Sequence, residues 1–186
     1  MVKTSIGLLG FAILGLIAQK PQSGYELRRQ FTDTPMKLFS GSPGAVYPAL
    51  RRLFEQGLLT ELTSTDHSRR RKQVFAVTDS GRDALVSWMR SEITREDVEM
   101  RMTELHLRFA FTGQILGPPA ATSFLECYLP EVRSYAVALR DFAQSAGDAI
   151  PITARLSLEH GIAGYECSAQ WAERALQDLT KSANGT

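Results

Sequence analysis

Ser42-Pro43-Gly44-Ala45-Val46-Tyr47-Pro48-Ala49-Leu50-Arg51-Arg52-Leu53, followed by Gly57-Leu58-Leu59, is the stretch whose reading decides the fold. At about 100° per residue, Val46, Ala49, Leu50, Leu53 and Phe54 fall on one apolar arc of a helix. Tyr47 and Arg51, four residues apart, are neighbours on the opposite side, and Arg52 flanks them. One face can pack on a core. The other offers a hydroxyl and a guanidinium near the amino end, where Ser42 opens the segment. A helix of this kind can enter the major groove of DNA. Alone it also reads as an ordinary amphipathic helix with a solvated basic face, so its surroundings have to decide.

Upstream, Ser23-Gly24-Tyr25-Glu26 has the spacing of a capping box and predicts a short helix from Gly24 to about Phe31. Before it, the apolar run Ile6 to Ala18, closed by Lys20-Pro21, predicts a first helix. Downstream, Gly57 is a natural helix stop. Leu58 to Leu62 and Gln73 to Val77 read as two short strands around a polar connection. Thr78-Asp79-Ser80-Gly81 then caps a helix running from Asp79 to about Met89. The order is three helices, two strands and a helix, which is that of a winged helix-turn-helix.

Arg69-Arg70-Arg71-Lys72 falls at the tip of the strand pair. Four consecutive cations are usually a solvated surface. Beside a groove-reading helix, the same run can reach phosphates or the minor groove and supply affinity rather than sequence choice. Charge divides the same way. Residues 1–90 hold 13 Lys or Arg against 7 Asp or Glu, a net +6, whereas residues 91–186 hold 8 against 13, a net −5. That asymmetry predicts a DNA-binding domain over 1–90 and a separate domain over 91–186.

These residues resemble the PadR family of bacterial transcriptional regulators. The resemblance rests on Leu14-Gly15-Leu16-Ile17-Ala18, Ser23-Gly24-Tyr25-Glu26-Leu27, the Gly44 to Leu53 segment with Gly57-Leu58-Leu59, and Arg71-Lys72-Gln73-Val74-Phe75-Ala76-Val77-Thr78-Asp79-Ser80-Gly81. It covers most of residues 5–90 in order. The long form of the family adds an all-helical C-terminal domain of about this length. The resemblance implies a dimeric repressor, sometimes an activator, that commonly responds to small aromatic or drug-like molecules. Two departures stand out. Family wings usually place Gly and Pro before the Arg-Lys, where this chain has Thr65-Asp66-His67-Ser68-Arg69-Arg70. Pro48 lies inside the reading helix, which predicts a kinked or tightened first turn with Tyr47 projected outward.

With 44% hydrophobic residues in 186, the chain can bury a core in one large or two modest domains. It shows no repeat of fixed period, and Lys181 to Thr186 reads as a fraying tail. The Ile6 to Ala18 run is too short to span a bilayer, lacks a convincing cleavage site, and leads straight into a capped helix. A buried scaffold helix is the better reading. Cys127 and Cys167 fit no metal spacing or disulfide framework and suit a reducing cytoplasm, the expected location of the protein. Small buried residues are favoured for both over a redox-sensing role. No metal or cofactor is expected.

In the rear half, Asp97 to Leu116 predicts one helix with Val98, Met102, Leu105, Phe109 and Leu116 on one face. Met100, Leu107 and Phe111 fall opposite, so the helix is expected to be buried on both sides. Arg101, Glu104 and Arg108 share an edge and are expected to form solvated pairs. His106 reads as a partly exposed helical residue rather than a ligand. A helix is expected from Ala120 to near Gln144, with Pro130 kinking or dividing it, and Gly147 and Pro151 mark the next break. Leu158, Ile162, Tyr165, Ala169, Ala172, Leu176 and Leu179 form a heptad seam. That seam can bury within the chain or pair two copies over two half-sites. Met100, Met102, Phe109, Phe111, Tyr128, Tyr135, Phe142 and Trp171, with Trp88 by position, could line an effector pocket, although such stripes are more often core.

Three functions compete. A homodimeric sequence-specific regulator would place Tyr47 and Arg51 in the major groove, with Arg51 forked onto guanine. Tyr25, Arg28 and Arg52 would then hold phosphates, Ser42 would also contact DNA, and Arg69, Arg70, Arg71 and Lys72 would act from the wing. An enzyme is disfavoured. The chain has no nucleophile–base pair, phosphate loop or dinucleotide fingerprint, and His67, His106 and His160 are scattered. A winged helix that binds protein instead of DNA is the alternative, and the net charge of the front half argues against it.

Overall fold

The computed structural model describes residues 6–62 and 73–184. It is mainly helical with a small antiparallel sheet, and the chain divides into two compact units, Met1–Met89 and Arg90–Thr186.

The first unit is built around α1 (Leu8–Gln19). This helix is apolar on every side and is accordingly surrounded, with Ala12, Ile13 and Leu14 fully buried. Next come β1 (Gln22–Ser23), α2 (Gly24–Asp33), two short 3₁₀ turns (Pro35–Phe39 and Pro43–Ala45) and α3 (Val46–Glu55). β2 (Leu59–Leu62), β3 (Val74–Val77) and α4 (Asp79–Met89) complete the unit. The sheet runs β1-β3-β2, with Leu59 opposite Val77 and Leu62 opposite Val74. β1 has no counterpart among the expected elements. Two residues carry no periodicity, and Gln22 and Ser23 become strand only because Phe75 and Val74 lie beside them. The arginine-rich connection, including Arg69, Arg70, Arg71 and Lys72, lies outside the described residues.

Leu27, Phe31, Val46, Leu50, Leu53, Leu59, Phe75 and Leu85 close the core around α1. Each fully buried aliphatic side chain contributes roughly 1.5–3 kcal/mol. Trp88, one of the pocket candidates, stacks on Phe11 at 4.4 Å and is buried in this core. Phe54, placed by the sequence on the apolar arc, lies at its margin and stays 41% exposed, edge-on to Phe75 at 6.0 Å.

The second unit holds α5 (Arg95–Met100), α6 (Met102–Ile115), α7 (Pro118–Ala146) and α8 (Ile152–Asn184). The single helix expected over 97–116 is two, broken at Arg101, whose φ and ψ of −132° and 28° leave the helical region. Thr94 and Asp97 form a capping box that fixes the start of α5. The break also takes Met100 out of register with Leu107 and Phe111, and it is 77% exposed rather than buried.

Arg108 corrects a second expectation. It is buried, donates from Nη2 to the Ser91 carbonyl, and lies over the Phe124 ring at 5.5 Å. Arg101 instead pairs with Glu96 and Asp97, each at 3.2 Å.

α7 starts two residues earlier than expected because Pro118 and Pro119 occupy first-turn positions, where no amide donor is needed. It runs without division through Pro130. α8 remains helical as far as Asn184, where fraying was expected. Contacts between Tyr135 and Tyr165, Arg140 and Glu166, and Arg133 and Glu173 show α7 and α8 to be antiparallel. The heptad residues Ile162, Ala169 and Ala172 are buried within this unit, and Tyr165, Leu176 and Leu179 pack on the same core, while Leu158 is half-buried. Cys127 and Cys167 are exposed free thiols, not the small core residues expected: the seam turns other faces of these helices inward.

Among the described residues, no helix is long and apolar enough to cross a membrane.

Candidate nucleic-acid interface

The site is assembled by the packing of α2 against α3. Ser23 and Glu26 form the expected capping box: the Glu26 amide donates to Ser23 Oγ at 3.3 Å, and the Ser23 amide donates to Glu26 Oε2 at 2.8 Å. This fixes where α2 begins, and so presents Tyr25, 59% exposed, and Arg28 on its outer side. Thr34 caps the following 3₁₀ turn through the Met36 amide at 3.2 Å.

Pro48 is the third residue of α3, inside the first turn, where an amide would have no helical acceptor. The 3₁₀ turn Pro43–Ala45 runs straight into the helix, closed by the Ala45 amide on the Ser42 carbonyl at 3.1 Å. The tight turn thus lies before the helix, over Pro43–Ala45, rather than at Pro48, which removes no helical bond; Tyr47 is exposed, as expected. Val46, Ala49, Leu50 and Leu53 are buried, while Ser42, Tyr47, Arg51 and Arg52 are exposed. Gly57, at φ 72°, ends the segment in a conformation suited to glycine.

On the exposed face, Arg51 Nε donates to Glu55 Oε1 at 2.7 Å, and Arg52 Nε donates to the Pro48 carbonyl at 3.4 Å. Tyr25, Tyr47 and Arg51 rim a cleft of about 500 Å³ whose floor includes Leu50, Phe54 and Phe75. Gln73 also lines it and donates to Glu61 Oε2 at 3.0 Å. The sequence reading missed Gln73 and Glu55. Gln73 is placed by strand register, which no helical wheel reports; Glu55 was legible as the residue four beyond Arg51. The structure thus brings Tyr25, Tyr47 and Arg51 together around one cleft.

The second unit carries a separate groove of about 460 Å³, lined by His106, Phe109, Cys167, Ser168, Trp171 and Arg174. Phe109 meets Trp171 edge-on at 5.3 Å, and His106 meets it at 5.9 Å. Loss of water on the side facing these rings holds the His106 imidazole below its ordinary pKa. Of the expected pocket residues only Phe109 and Trp171 line this groove. Tyr128 and Phe111 are core, and Phe142 is exposed. Among the described residues there is no cluster of metal-ligating side chains.

Residues 13–87 match the transcriptional regulator PadR-like family. The chain is 30% identical over 82 residues to the negative transcriptional regulator PadR of Bacillus subtilis, a match covering 44% of this chain and 45% of the relative, less than half its length. It is 27% identical over 183 residues to the probable transcriptional regulator Rv1176c of Mycobacterium tuberculosis, covering 92% of this chain and 97% of the relative. Among solved structures, that of Bacillus subtilis PadR in complex with operator DNA is similar over 92% of this chain and 99% of that one, with 22% identity and a TM-score of 0.43.

Proposed function

Since residues 13–87 match the PadR-like family of transcriptional regulators, we propose that the chain belongs to that family and is a homodimeric, sequence-specific DNA-binding repressor whose operator affinity answers to a small aromatic molecule. The family is one of regulators, not enzymes. The observation that carries the reading is the division of α3: four side chains buried, and Tyr47 and Arg51 exposed on the other face beside Tyr25. On this reading, residues 1–90 form the DNA-binding domain and 91–186 the dimerisation and effector domain of a cytoplasmic protein.

Arg51 and Tyr47 read base edges, Ser42, Tyr25, Arg28 and Arg52 hold the backbone, and Arg69 to Lys72 add phosphate contacts from the wing. Two copies read two half-sites. We assign their pairing to the α7–α8 hairpin, whose seam residues Leu158, Ile162, Tyr165, Ala169, Ala172, Leu176 and Leu179 set its shape. Val137, Phe142, Ile152 and Leu156 leave apolar surface on the outside of that hairpin. An effector bound in the second unit acts only if it prefers one arrangement of the dimer over another.

The test is fluorescence anisotropy with the full chain on a duplex recovered from a randomised library and on its scrambled counterpart, over a salt series. Arg51→Ala is run alongside, and sedimentation gives the stoichiometry. Competitor-resistant binding by two copies, weakened by Arg51→Ala, supports the reading. Weak binding that is equal for both duplexes and both proteins, and lost in modest salt, overturns it in favour of a protein-interaction module.

A further inference from the structure

We propose that Glu55 is a specificity-determining positioning residue, which fixes the Arg51 guanidinium in the one orientation that reads a guanine and by its negative charge weakens binding to DNA that lacks the compensating guanine contact. The inference rests on the proposed reading role of α3. Three observations lead to it.

Glu55 Oε1 accepts from Arg51 Nε at 2.7 Å, a short charge-assisted bond. Among the described residues, that is the contact Arg51 makes. A guanidinium held by Nε cannot approach a base through its Nε edge, so the terminal amino pair is what remains for the O6 and N7 acceptors of guanine.

Helix stability does not account for the acid at this position. Glu55 is the last residue of α3, where unpaired carbonyls and the helix dipole disfavour an anion. Acid after base at i,i+4 is also the weaker order for such a pair. Glu55 stands on the exposed face of a domain with a net +6, on the helix that carries Tyr47 and Arg51. A carboxylate there lowers the attraction of the helix for phosphate in every sequence, and the guanine contact of Arg51 is what offsets that loss. That is how binding of the wrong sequence is penalised.

Both side chains are well exposed, so the pair contributes little to the free protein. Its consequence is in selectivity.

The test is parallel selection from a duplex library with a randomised core, using the full chain as wild type, Glu55→Ala, Glu55→Gln, Arg51→Ala and the Arg51→Ala/Glu55→Ala double variant. Affinity for unselected duplex is measured beside it. Glu55→Ala should lose about tenfold in enrichment at the one guanine position that Arg51→Ala also loses, with other positions unchanged and unselected duplex bound more tightly. Glu55→Gln, which keeps an acceptor for Arg51 Nε, should retain enrichment at that position while sharing the tighter unselected binding. In the Arg51→Ala background, Glu55→Ala should change enrichment no further. Unaltered enrichment in Glu55→Ala overturns the inference while leaving the regulator reading intact, and so does a uniform loss at every position. A wild type that enriches no sequence overturns both.

Discussion

Gly24 and Tyr47 meet where α2 crosses α3: a Cβ placed on Gly24 would stand 2.8 Å from Tyr47 Cε1 and 3.3 Å from Cδ1. The same Cβ would come within 3.2 Å of Leu50 Cδ2. The absent side chain at the start of α2 is thus the space into which the exposed tyrosine of α3 leans. It couples a helix start legible in the sequence to the direction of a side chain that is not. Gly24→Ala should leave stability within about 1 kcal/mol, because the obstructing atom is the ring of a movable side chain. DNA binding should weaken by about 1 kcal/mol as Tyr47 is displaced. Thermal melts and anisotropy on one preparation check both. Loss of stability without loss of affinity would show that Tyr47 takes no part in reading.

Gly81 behaves differently. A Cβ on this residue would lie 2.1 Å from the Leu58 carbonyl oxygen, which is backbone and cannot swing away. Thr78 fixes that approach, donating to the Gly57 carbonyl at 2.7 Å and accepting from the Gly81 amide at 3.1 Å. Gly81→Ala should destabilise the first unit by about 3 kcal/mol. Gly161, in α8 with open space around it, should gain roughly 0.5–1 kcal/mol from the same change. Urea titrations of the two variants should move in opposite directions.

Burial pushes the Asp97 carboxyl up, but bonds from the Thr94 amide and hydroxyl, with the nearby Arg101 and Arg108 charges, outweigh it and hold the pKa below the ordinary carboxylate value. A depressed folded-state pKa adds stability that is complete above the unfolded value and lost as pH falls through the folded one. Asp97→Asn should therefore be less stable than wild type at neutral pH, and the gap should close as pH falls through and below the ordinary carboxylate range. Denaturant melts across that range check the sign, and a gap that widens in acid would contradict it.

Arg108 holds a buried position between the Ser91 carbonyl and the Phe124 ring. Arg108→Ala removes the donor and leaves space behind, and should cost about 2–4 kcal/mol. Arg108→Lys should recover little, since an ammonium can neither lie flat on the ring nor offer a planar fork. A lysine variant as stable as wild type would show that charge alone is needed there.

Among the described residues, the groove of the second unit is lined by one charged side chain, Arg174, in a half of the chain with a net −5. With Phe109 and Trp171 as walls, it suits a planar aromatic anion. Benzoate titrated into the full chain should quench Trp171 fluorescence, benzamide should act more weakly, and Arg174→Gln should abolish the difference. The second tryptophan, Trp88, is stacked on Phe11 in the other unit, so Trp171→Phe removes the signal if the groove is the site. Equal quenching by both ligands would leave Arg174 without a role.

Much of the first unit was legible because local chemistry specifies it. Ser23 and Glu26 can only close a capping box at one spacing, and Gly57 ends α3 where the backbone needs a positive φ. The apolar arc of α3 fixed its inward face, and with it the outward face of Tyr47 and Arg51. The break at Arg101 was not legible, since Met100 and Met102 keep apolar periodicity across it. Nor was the inward turn of Arg108: its sequence position lies on an edge with Arg101 and Glu104, and its burial depends on partners distant in the chain, the Ser91 carbonyl and the Phe124 ring among them.

The sequence by itself determined the order of helices and strands in the first unit apart from β1, the caps that start α2 and α4, the basic front and acidic rear, and the face that α3 shows to solvent. These depend on residues within one turn or one strand of each other. Tertiary structure alone decided the third strand at Gln22–Ser23, the α7–α8 packing that takes up the heptad seam, and the meeting of Gly24 with Tyr47. Each of those depends on which surfaces remain once neighbouring elements have buried theirs, and burial is a property of the whole packed unit rather than of any stretch of chain.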